Sequence, residues 1–151
     1  MRLAYLVVCC LPVLGQTPQV STVTKVPGEI VTLEISADSQ PARAPVALKW
    51  EVVFPPQLME MEGGGPEVGS AAQDSGKTIE CKARRPYAYV CTISGGQKPI
   101  ADGLIAIYHF KILASAAAGT TTLRIEKAES STADSRKWAL NDTEVTVIIK
   151  R

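Results

Sequence analysis

The sequence contains few of the side chains that most often carry catalysis or bind metal ions. Its 151 residues include a single histidine, His109, and four cysteines. No nucleophile elbow, zinc-protease motif or phosphate-binding loop occurs, and no acidic loop has EF-hand spacing. The aspartates lie mainly in predicted turns, where this residue is common for conformational reasons. We therefore expect no catalytic residue, no cofactor and no metal ion in this chain.

Charge and aromatic content restrict the choice of ligand. The chain has 16 Lys and Arg against 15 Asp and Glu, a net charge of +1. This balance argues against nucleic acid as a partner, because a polyanion needs an excess of cations. Aromatic residues make up only 5% of the chain, whereas polysaccharide-binding sandwiches usually present a strip of exposed rings. Three aromatics could still form a small platform for carbohydrate contact: Tyr87, Tyr89 and Trp138.

Residues 1–15 have the pattern of a secretory signal peptide. Arg2 supplies the positive charge, residues 3–14 form an uncharged, mainly apolar run, and Gly15 is a small residue at the expected cleavage site. The run is shorter than the about 20 residues that span a bilayer. We therefore predict a mature chain of residues 16–151 that forms one domain, has no membrane span and is secreted, extracellular or periplasmic.

Cleavage leaves two cysteines, Cys81 and Cys91, in neighbouring strand-like runs. Residues 78–83 and 88–93 flank a proline-centred turn. Because side chains alternate along a strand, joining the two cysteines places six residues on one face of a hairpin. The opposed pairs would be Ile79 with Ile93, Cys81 with Cys91, and Ala83 with Tyr89. A disulfide needs the oxidising compartment that a signal peptide implies. A redox or metal-binding pair fits less well, because the spacing is not Cys-x-x-Cys.

Apolar and polar residues alternate with a period of two along the mature chain, whereas helical periodicity is scarce. The clearest example is the run over residues 46–54, and turn residues separate this run from the others. Eight or nine short strands of this kind predict an all-β fold, an antiparallel β-sandwich. The predicted core consists of Leu33, Leu48, Trp50, Val52, Phe54, Leu104, Tyr108, Phe110, Ile112, Leu123, Ile125, Val145 and Val147.

Several segments resemble bacterial cohesin modules, the receptor domains of cellulosome scaffolds, in their order and spacing. Residues 27–33 resemble the opening strand pair of that family. Residues 50–61 resemble its hydrophobic strand followed by Tyr-Asp-Pro-x-x-Leu-Glu-Val. Residues 102–112 resemble Asp-Gly-x-x-Ala-x-x-x-Phe-x-Val, and residues 116–123 resemble the connection that follows. The likeness extends over residues 20–149, nearly the whole mature chain.

The resemblance implies a nine-stranded antiparallel β-sandwich with jelly-roll topology and no catalytic activity. It also implies a partner, the dockerin, which is a small calcium-loaded helical module borne by enzymes of polysaccharide degradation. Calcium would then belong to the partner and not to this chain. Two features depart from the family pattern: Pro55 stands where an aspartate is usual, and a cysteine-bridged hairpin is not a general feature of cohesins.

In the cohesin family the dockerin lies on the outer face of the sheet that contains the third, fifth, sixth and eighth strands. Carried onto this chain, these strands are residues 47–53, 78–83, 88–93 and 120–126. Their outward residues are the predicted partner-binding set: Lys49, Glu51, Val53, Thr78, Glu80, Lys82, Val90, Thr92, Thr122, Arg124 and Glu126. Arg84, Arg85 and Tyr87 would border this set at the hairpin tip. The same mixture of residues also suits an ordinary solvated face.

Two other functions remain open from the sequence. One is direct carbohydrate binding through the three aromatics named above, and the other is an extracellular structural or adhesion module with no dockerin partner. The opposite sheet is expected to expose Ile105 and Ile107 beside His109 as a second patch. His109 itself is expected to be partly exposed, because the alternation of its strand directs it away from the core.

Overall fold

The structure, a computed structural model, describes residues 10–12, 20–38 and 44–151. Within these ranges there are eight strands of six or more residues and four shorter ones. The strands are β1 (Cys10–Pro12), β2 (Val20–Lys25), β3 (Ile30–Asp38), β4 (Ala47–Val53), β5 (Met59–Met61), β6 (Glu67–Val68), β7 (Thr78–Arg85), β8 (Ala88–Ser94), β9 (Gly103–Ile112), β10 (Gly119–Ser131), β11 (Lys137–Ala139) and β12 (Thr143–Ile149). A 3-10 turn spans Glu62–Gly64 and a short helix, α1, spans Ser70–Asp74.

Apart from β1, the predicted signal peptide lies outside the described residues, so its cleavage stays a prediction. The division into residues 1–15 and 16–151 is a prediction for the same reason. None of the helices in the described ranges is long and apolar enough to cross a membrane.

The strands form two sheets that pack face to face. One sheet has the order β1-β3-β9-β5, with β6 also paired to β9, and the other has the order β2-β12-β10-β4-β8-β7, with β11 paired to β10. The predicted β-sandwich is confirmed. Two details differ from the prediction. β1 pairs with β3, and β2 with β12, in parallel rather than antiparallel. The described residues also contain twelve strand segments, whereas eight or nine were predicted. Four of the twelve have only two or three residues, which is too short for an alternating pattern to reveal them.

The core lies between the two sheets, where strand alternation directs the apolar residues. Every predicted core residue is buried except Leu104, which is half-buried. The exception has a local cause, a bulge in β9. Ile35 pairs with Ala106, but Ser36 pairs with Leu104, so Ile105 is an extra residue between two regular pairs. The bulge lets Ile105 be fully buried. The prediction that Ile105 is exposed was therefore wrong, and Ile107 is half-buried.

One polar contact crosses the core. The Tyr108 hydroxyl, from β9 in the first sheet, accepts a hydrogen bond from Trp50 Nε1 of β4 at 2.8 Å. The same hydroxyl donates to Cys91 Sγ of β8 at 3.0 Å. Burial raises the pKa of Tyr108, an effect that the Trp50 hydrogen bond reduces but does not cancel. The hydroxyl therefore stays protonated, and one buried side chain links three strands of the two sheets.

The cysteine hairpin has the predicted register. Cys81 pairs with Cys91, Ile79 with Ile93 and Ala83 with Tyr89, and the two cysteines are joined by a disulfide. In the chain-entropy picture, closing a loop of this size stabilises the fold by roughly 3 kcal/mol. Because β7 is the outermost strand of its sheet, the disulfide fixes an edge strand that pairs on one side only.

Candidate binding face

The four strands predicted to carry the partner-binding residues are neighbours in one sheet. β10 pairs with β4, β4 with β8, and β8 with β7, all antiparallel. The register aligns their outward residues in rows. Lys49 lies opposite Thr92, and Thr92 lies opposite Glu80. We call the outer surface of β10, β4, β8 and β7 the polar face.

The accessibility of the predicted residues differs across the polar face. Lys49, Glu80, Lys82 and Arg124 are exposed, as is Thr78 at the end of β7. Four others are half-buried: Val90, Thr92, Thr122 and Glu126. Glu51 and Val53 lie on this side of β4 but are buried, with 4% and 9% exposure. The expectation that these two are accessible to a partner is corrected, because neighbouring side chains cover them.

Two cationic side chains cover Glu51. Arg84 Nη1 lies 3.0 Å from Glu51 Oε2, and Lys127 Nζ lies 3.0 Å from the same oxygen. Burial by itself raises the pKa of Glu51, but the hydrogen bond and charge of Lys127, together with Arg84, outweigh this effect and lower the pKa. Glu51 is therefore an ionised, buried carboxylate that holds a cation from each of two other strands, β7 and β10.

Sequence reasoning did not assign Lys127 to the polar face. Strict alternation from Glu126 directs Lys127 into the core, where an ammonium group would be unfavourable. In the structure the register between β10 and β4 shifts between Glu126 and Glu129, and Lys127 adopts φ of +51°. This bulge turns Lys127 outward. The signal in the sequence is the lysine itself, since a charge at an inward position of a long strand indicates a bulge.

Two pairs of charges on the polar face each form along a single strand. Lys82 Nζ lies 3.3 Å from Glu80 Oε1, and Arg124 Nε lies 3.1 Å from Glu126 Oε1. Residues two apart on a strand share a face, so these pairs follow from the sequence spacing. Pairs this exposed to water contribute little stability, and they can therefore exchange their partners when another surface binds.

The tip of the β7–β8 hairpin adds an aromatic ring at one end of the polar face. Arg85 Nη1 donates to the Tyr87 hydroxyl at 2.8 Å, and Tyr87 is 40% exposed. A shallow depression between the tip and β10 is lined by Val53, Phe54, Pro55, Pro56, Gln57, Tyr87, Thr121, Thr122 and Arg124. Pro56 and Gln57 were not predicted here, because they belong to the loop that follows β4.

The three candidate carbohydrate-contact aromatics are not brought together. Tyr87 lies beside Thr122 and Arg124. Tyr89 is half-buried and stacks on Phe54 with ring centroids 5.9 Å apart. Trp138 lies in β11 and pairs with Ser130. Ser130 lies six positions after Arg124 on β10, roughly 20 Å along an extended chain. The structure therefore contains no platform made of all three rings.

The remaining chemistry-bearing groups are dispersed. His109 is part-exposed, as predicted, and its Nδ1 lies 3.2 Å from Thr32 Oγ1, while Nε2 lies 3.9 Å from Glu67 Oε1. Across the described part of the chain, no group of three or more His, Cys, Asp and Glu side chains is placed to hold a metal ion.

The structure is similar to several solved cohesins. The sixth cohesin of scaffoldin B from Acetivibrio cellulolyticus, solved in complex with a mutant Cel5 dockerin, superposes with a TM-score of 0.68 at 15% identity; the match covers 86% of this chain and 95% of that one. The OlpA cohesin from Clostridium thermocellum, solved in complex with the dockerin Doc918, gives a TM-score of 0.71 at 12% identity, over 86% and 95%.

A cohesin from outside cellulosomes is also similar. The non-cellulosomal cohesin of the hyperthermophilic archaeon Archaeoglobus fulgidus gives a TM-score of 0.62 at 14% identity, and the match covers 91% of this chain and 93% of that one. No protein-family model and no curated protein matches the chain by sequence. Sequence identity this low supports the architecture alone. The chain has the fold of the cohesin modules, over nearly the full length of each module compared.

Proposed function

We propose that this chain is a secreted, non-catalytic cohesin-type module that captures a dockerin-like partner on its polar face. The observation that carries the proposal is the adjacency of β10, β4, β8 and β7 in one sheet. These four strands, identified from the sequence by family resemblance, form a continuous outer surface. Two solved proteins of similar fold are cohesins in complex with dockerins.

The chemistry of the polar face favours a folded protein as the ligand. It combines threonine hydroxyls and Val90 on β8 and β10 with paired charges of both signs, such as Lys82 with Glu80 on β7. Charges arranged in this way select partners by electrostatic complementarity. A deep apolar cavity for a small molecule, by contrast, is the usual sign of a metabolite site. The depressions that line this face are shallow and partly polar.

Calcium enters this proposal through the partner. Dockerin-like modules fold around calcium, so chelation should abolish capture although this chain supplies no ligand to the ion. The enzymes that carry such modules would connect the protein with polysaccharide degradation. Secretion after cleavage near Gly15 would place the module where those enzymes act.

Binding to a panel of dockerins tests the proposal. The mature chain is immobilised and offered dockerin modules from its own genome and from the organisms of the similar cohesins, with calcium or with a chelator. Insoluble polysaccharides are tested in parallel. We expect calcium-dependent capture of at least one dockerin and no retention on polysaccharide. Polysaccharide retention that disappears on Tyr87→Ala would overturn the proposal in favour of carbohydrate binding. Binding to neither would leave a structural or adhesion role.

A matched pair of substitutions locates the contact. Thr92 lies at the centre of the polar face, whereas Thr24 lies on β2 at the far edge of the same sheet. Thr92→Arg should weaken capture more than about tenfold, because a bulky charge in the centre of an interface prevents close packing. Thr24→Arg makes the same chemical change and should leave capture unaltered. Equal effects of the two would place the interface elsewhere.

A further inference from the structure

A depression near the centre of the polar face has an unusual distribution of charge. It is lined by Lys49, Trp50, Glu51, Arg84, Val90, Lys127 and Glu129. Glu51 is its only buried charged residue, and the two cations that contact Glu51 stand at its sides. The depression thus consists of a buried anion covered by cations from two other strands.

The charges of this depression do not cancel. Arg84 and Lys127 both bind the same oxygen of one carboxylate, so that cluster alone has a net charge of +1. Lys49 adds a further positive charge on the wall. The second carboxylate on the wall, Glu129, already has a cation of its own, since Lys137 Nζ lies 3.5 Å away. A chain that is almost neutral overall is therefore locally positive here.

The two cations retain capacity to bind another anion. A guanidinium has five N–H donors and an ammonium has three. The contacts to Glu51 involve one nitrogen of Arg84 and the single nitrogen of Lys127. Their side chains remain 50% and 58% exposed to solvent. Because Glu51 already restrains both, little additional side-chain entropy is lost when a ligand binds.

We propose that this depression is a carboxylate subsite that receives one aspartate or glutamate side chain of the bound protein partner. The inference rests on the proposed function for the nature of the partner, but the affinity for a carboxylate is a property of this chain alone. The subsite would fix the partner's register on the sheet, because a charge-assisted hydrogen bond of this kind is directional as well as strong.

The surroundings favour a single carboxylate over a polyanion. Glu80, Glu126 and Glu129 lie around the depression on the same face. An extended polyanion that crossed the face would have to displace these carboxylates from the cations that already pair with them, Lys82, Arg124 and Lys137. One partner carboxylate would neutralise the excess charge of the Arg84–Lys127 pair without approaching the three surrounding glutamates.

A titration with acetate tests the subsite without any partner protein. Amide chemical shifts of the mature chain are followed while sodium acetate is added, and sodium chloride at equal ionic strength is the reference. We expect saturable shifts at residues 50, 51, 84 and 127 with acetate only. Lys127→Gln should remove the saturation and Lys127→Arg should retain it, while Arg84 still covers Glu51 in both variants. Lys111→Gln, at an exposed lysine of β9 in the opposite sheet, is the control and should behave like the wild type. Identical responses to acetate and chloride, or saturation unchanged in Lys127→Gln, would overturn the subsite.

The dockerin that the chain captures gives a second, independent test. Lys127→Gln should weaken its binding by about tenfold or more, as expected for the loss of a charge-assisted hydrogen bond. Replacing the partner's carboxylates one at a time should identify one position at which replacement weakens binding to the wild-type chain but does not weaken binding to Lys127→Gln further. If dockerin binds the wild type and Lys127→Gln with equal affinity, the subsite proposal is wrong and the proposed function stands. If acetate saturates the site and no dockerin binds, the proposed function fails and the anion subsite stands.

Discussion

Removal of the Tyr108 hydroxyl provides a sharp test of how the two sheets are joined. Tyr108→Phe keeps the buried ring, with its stacking on Phe110 at 5.9 Å between centroids. It deletes only the oxygen that accepts from Trp50 Nε1 at 2.8 Å and donates to Cys91 Sγ at 3.0 Å. Trp50 is 1% exposed, so its indole N–H cannot turn to water instead. The substitution therefore leaves a buried donor without a partner.

The expected loss follows from that unpaired donor. A buried polar group left unsatisfied costs about 1–3 kcal/mol, whereas the small cavity left by one oxygen adds little. For a domain of this size, 2 kcal/mol corresponds to a decrease of about 4–8 °C in Tm. Tyr87→Phe is the matched control, because the same oxygen is removed from an exposed residue that contacts Arg85. The control should change the free energy of unfolding by less than about 0.5 kcal/mol.

Urea unfolding of the oxidised protein, followed by tryptophan fluorescence and circular dichroism, measures both variants with linear extrapolation. A double-mutant cycle with Trp50→Phe isolates the pair, and its coupling energy should be about 1 kcal/mol. If Tyr108→Phe were as stable as wild type, or if its loss matched that of Tyr87→Phe, the hydroxyl would not be the link between the sheets.

Three further predictions concern other parts of the fold. Gly69→Ala should destabilise the protein by at least about 2 kcal/mol, because its Cβ would lie 2.4 Å from the Leu104 carbonyl group; Gly65→Ala, where no atom lies within 4 Å, is the control for this thermal unfolding measurement. The folded-state pKa of Glu51 lies below its usual 4.5, so its ion pairs stabilise the fold above that pH and are lost as the pH falls through the lowered value. In urea titrations at about pH 7 and about pH 3, the stability advantage of the wild type over Glu51→Gln should therefore shrink at the lower pH, and a constant difference would refute the ion-pair cluster. Intact mass after alkylation should show no reactive thiol at Cys81 or Cys91 until reductant is added, and free thiols in the unreduced mature protein would contradict the disulfide.

The sequence predicted the sandwich because its long strands have one buried and one solvated face. Alternation in β4 places Trp50 and Val52 inward, and the cysteine pairing aligns β7 with β8. The order of segments led to the cohesin resemblance, which the fold comparison supports although sequence identity is 12–20%. The inward residues of β4 and the hairpin register both depend on regular backbone geometry with a period of two.

The departures from the prediction occur where that period breaks. A bulge in β9 buries Ile105, and a bulge in β10 turns Lys127 onto the polar face. Alternation alone cannot locate an inserted residue. Whether a bulge forms depends on contacts with other strands that offset its cost, and these contacts are not visible in the local sequence. The burial of Glu51 depends on Arg84 and Lys127, which are distant in sequence and meet only after the sheet forms. The separation of Tyr87 from Trp138 likewise follows from the positions along β10 that each one reaches, which no local pattern determines.

A dockerin-like module is expected to bind the polar face of this chain. Amide hydrogen exchange, measured on the mature chain alone and on the chain saturated with a captured dockerin in calcium, tests this binding mode. We expect new protection confined to β4, β7, β8 and β10, centred on Lys49, Thr92 and Arg124, and no change in β3 or β9. Protection centred on Ile107, His109 and Lys111 of the opposite sheet would contradict the account, as would the failure of every dockerin in the panel to alter exchange.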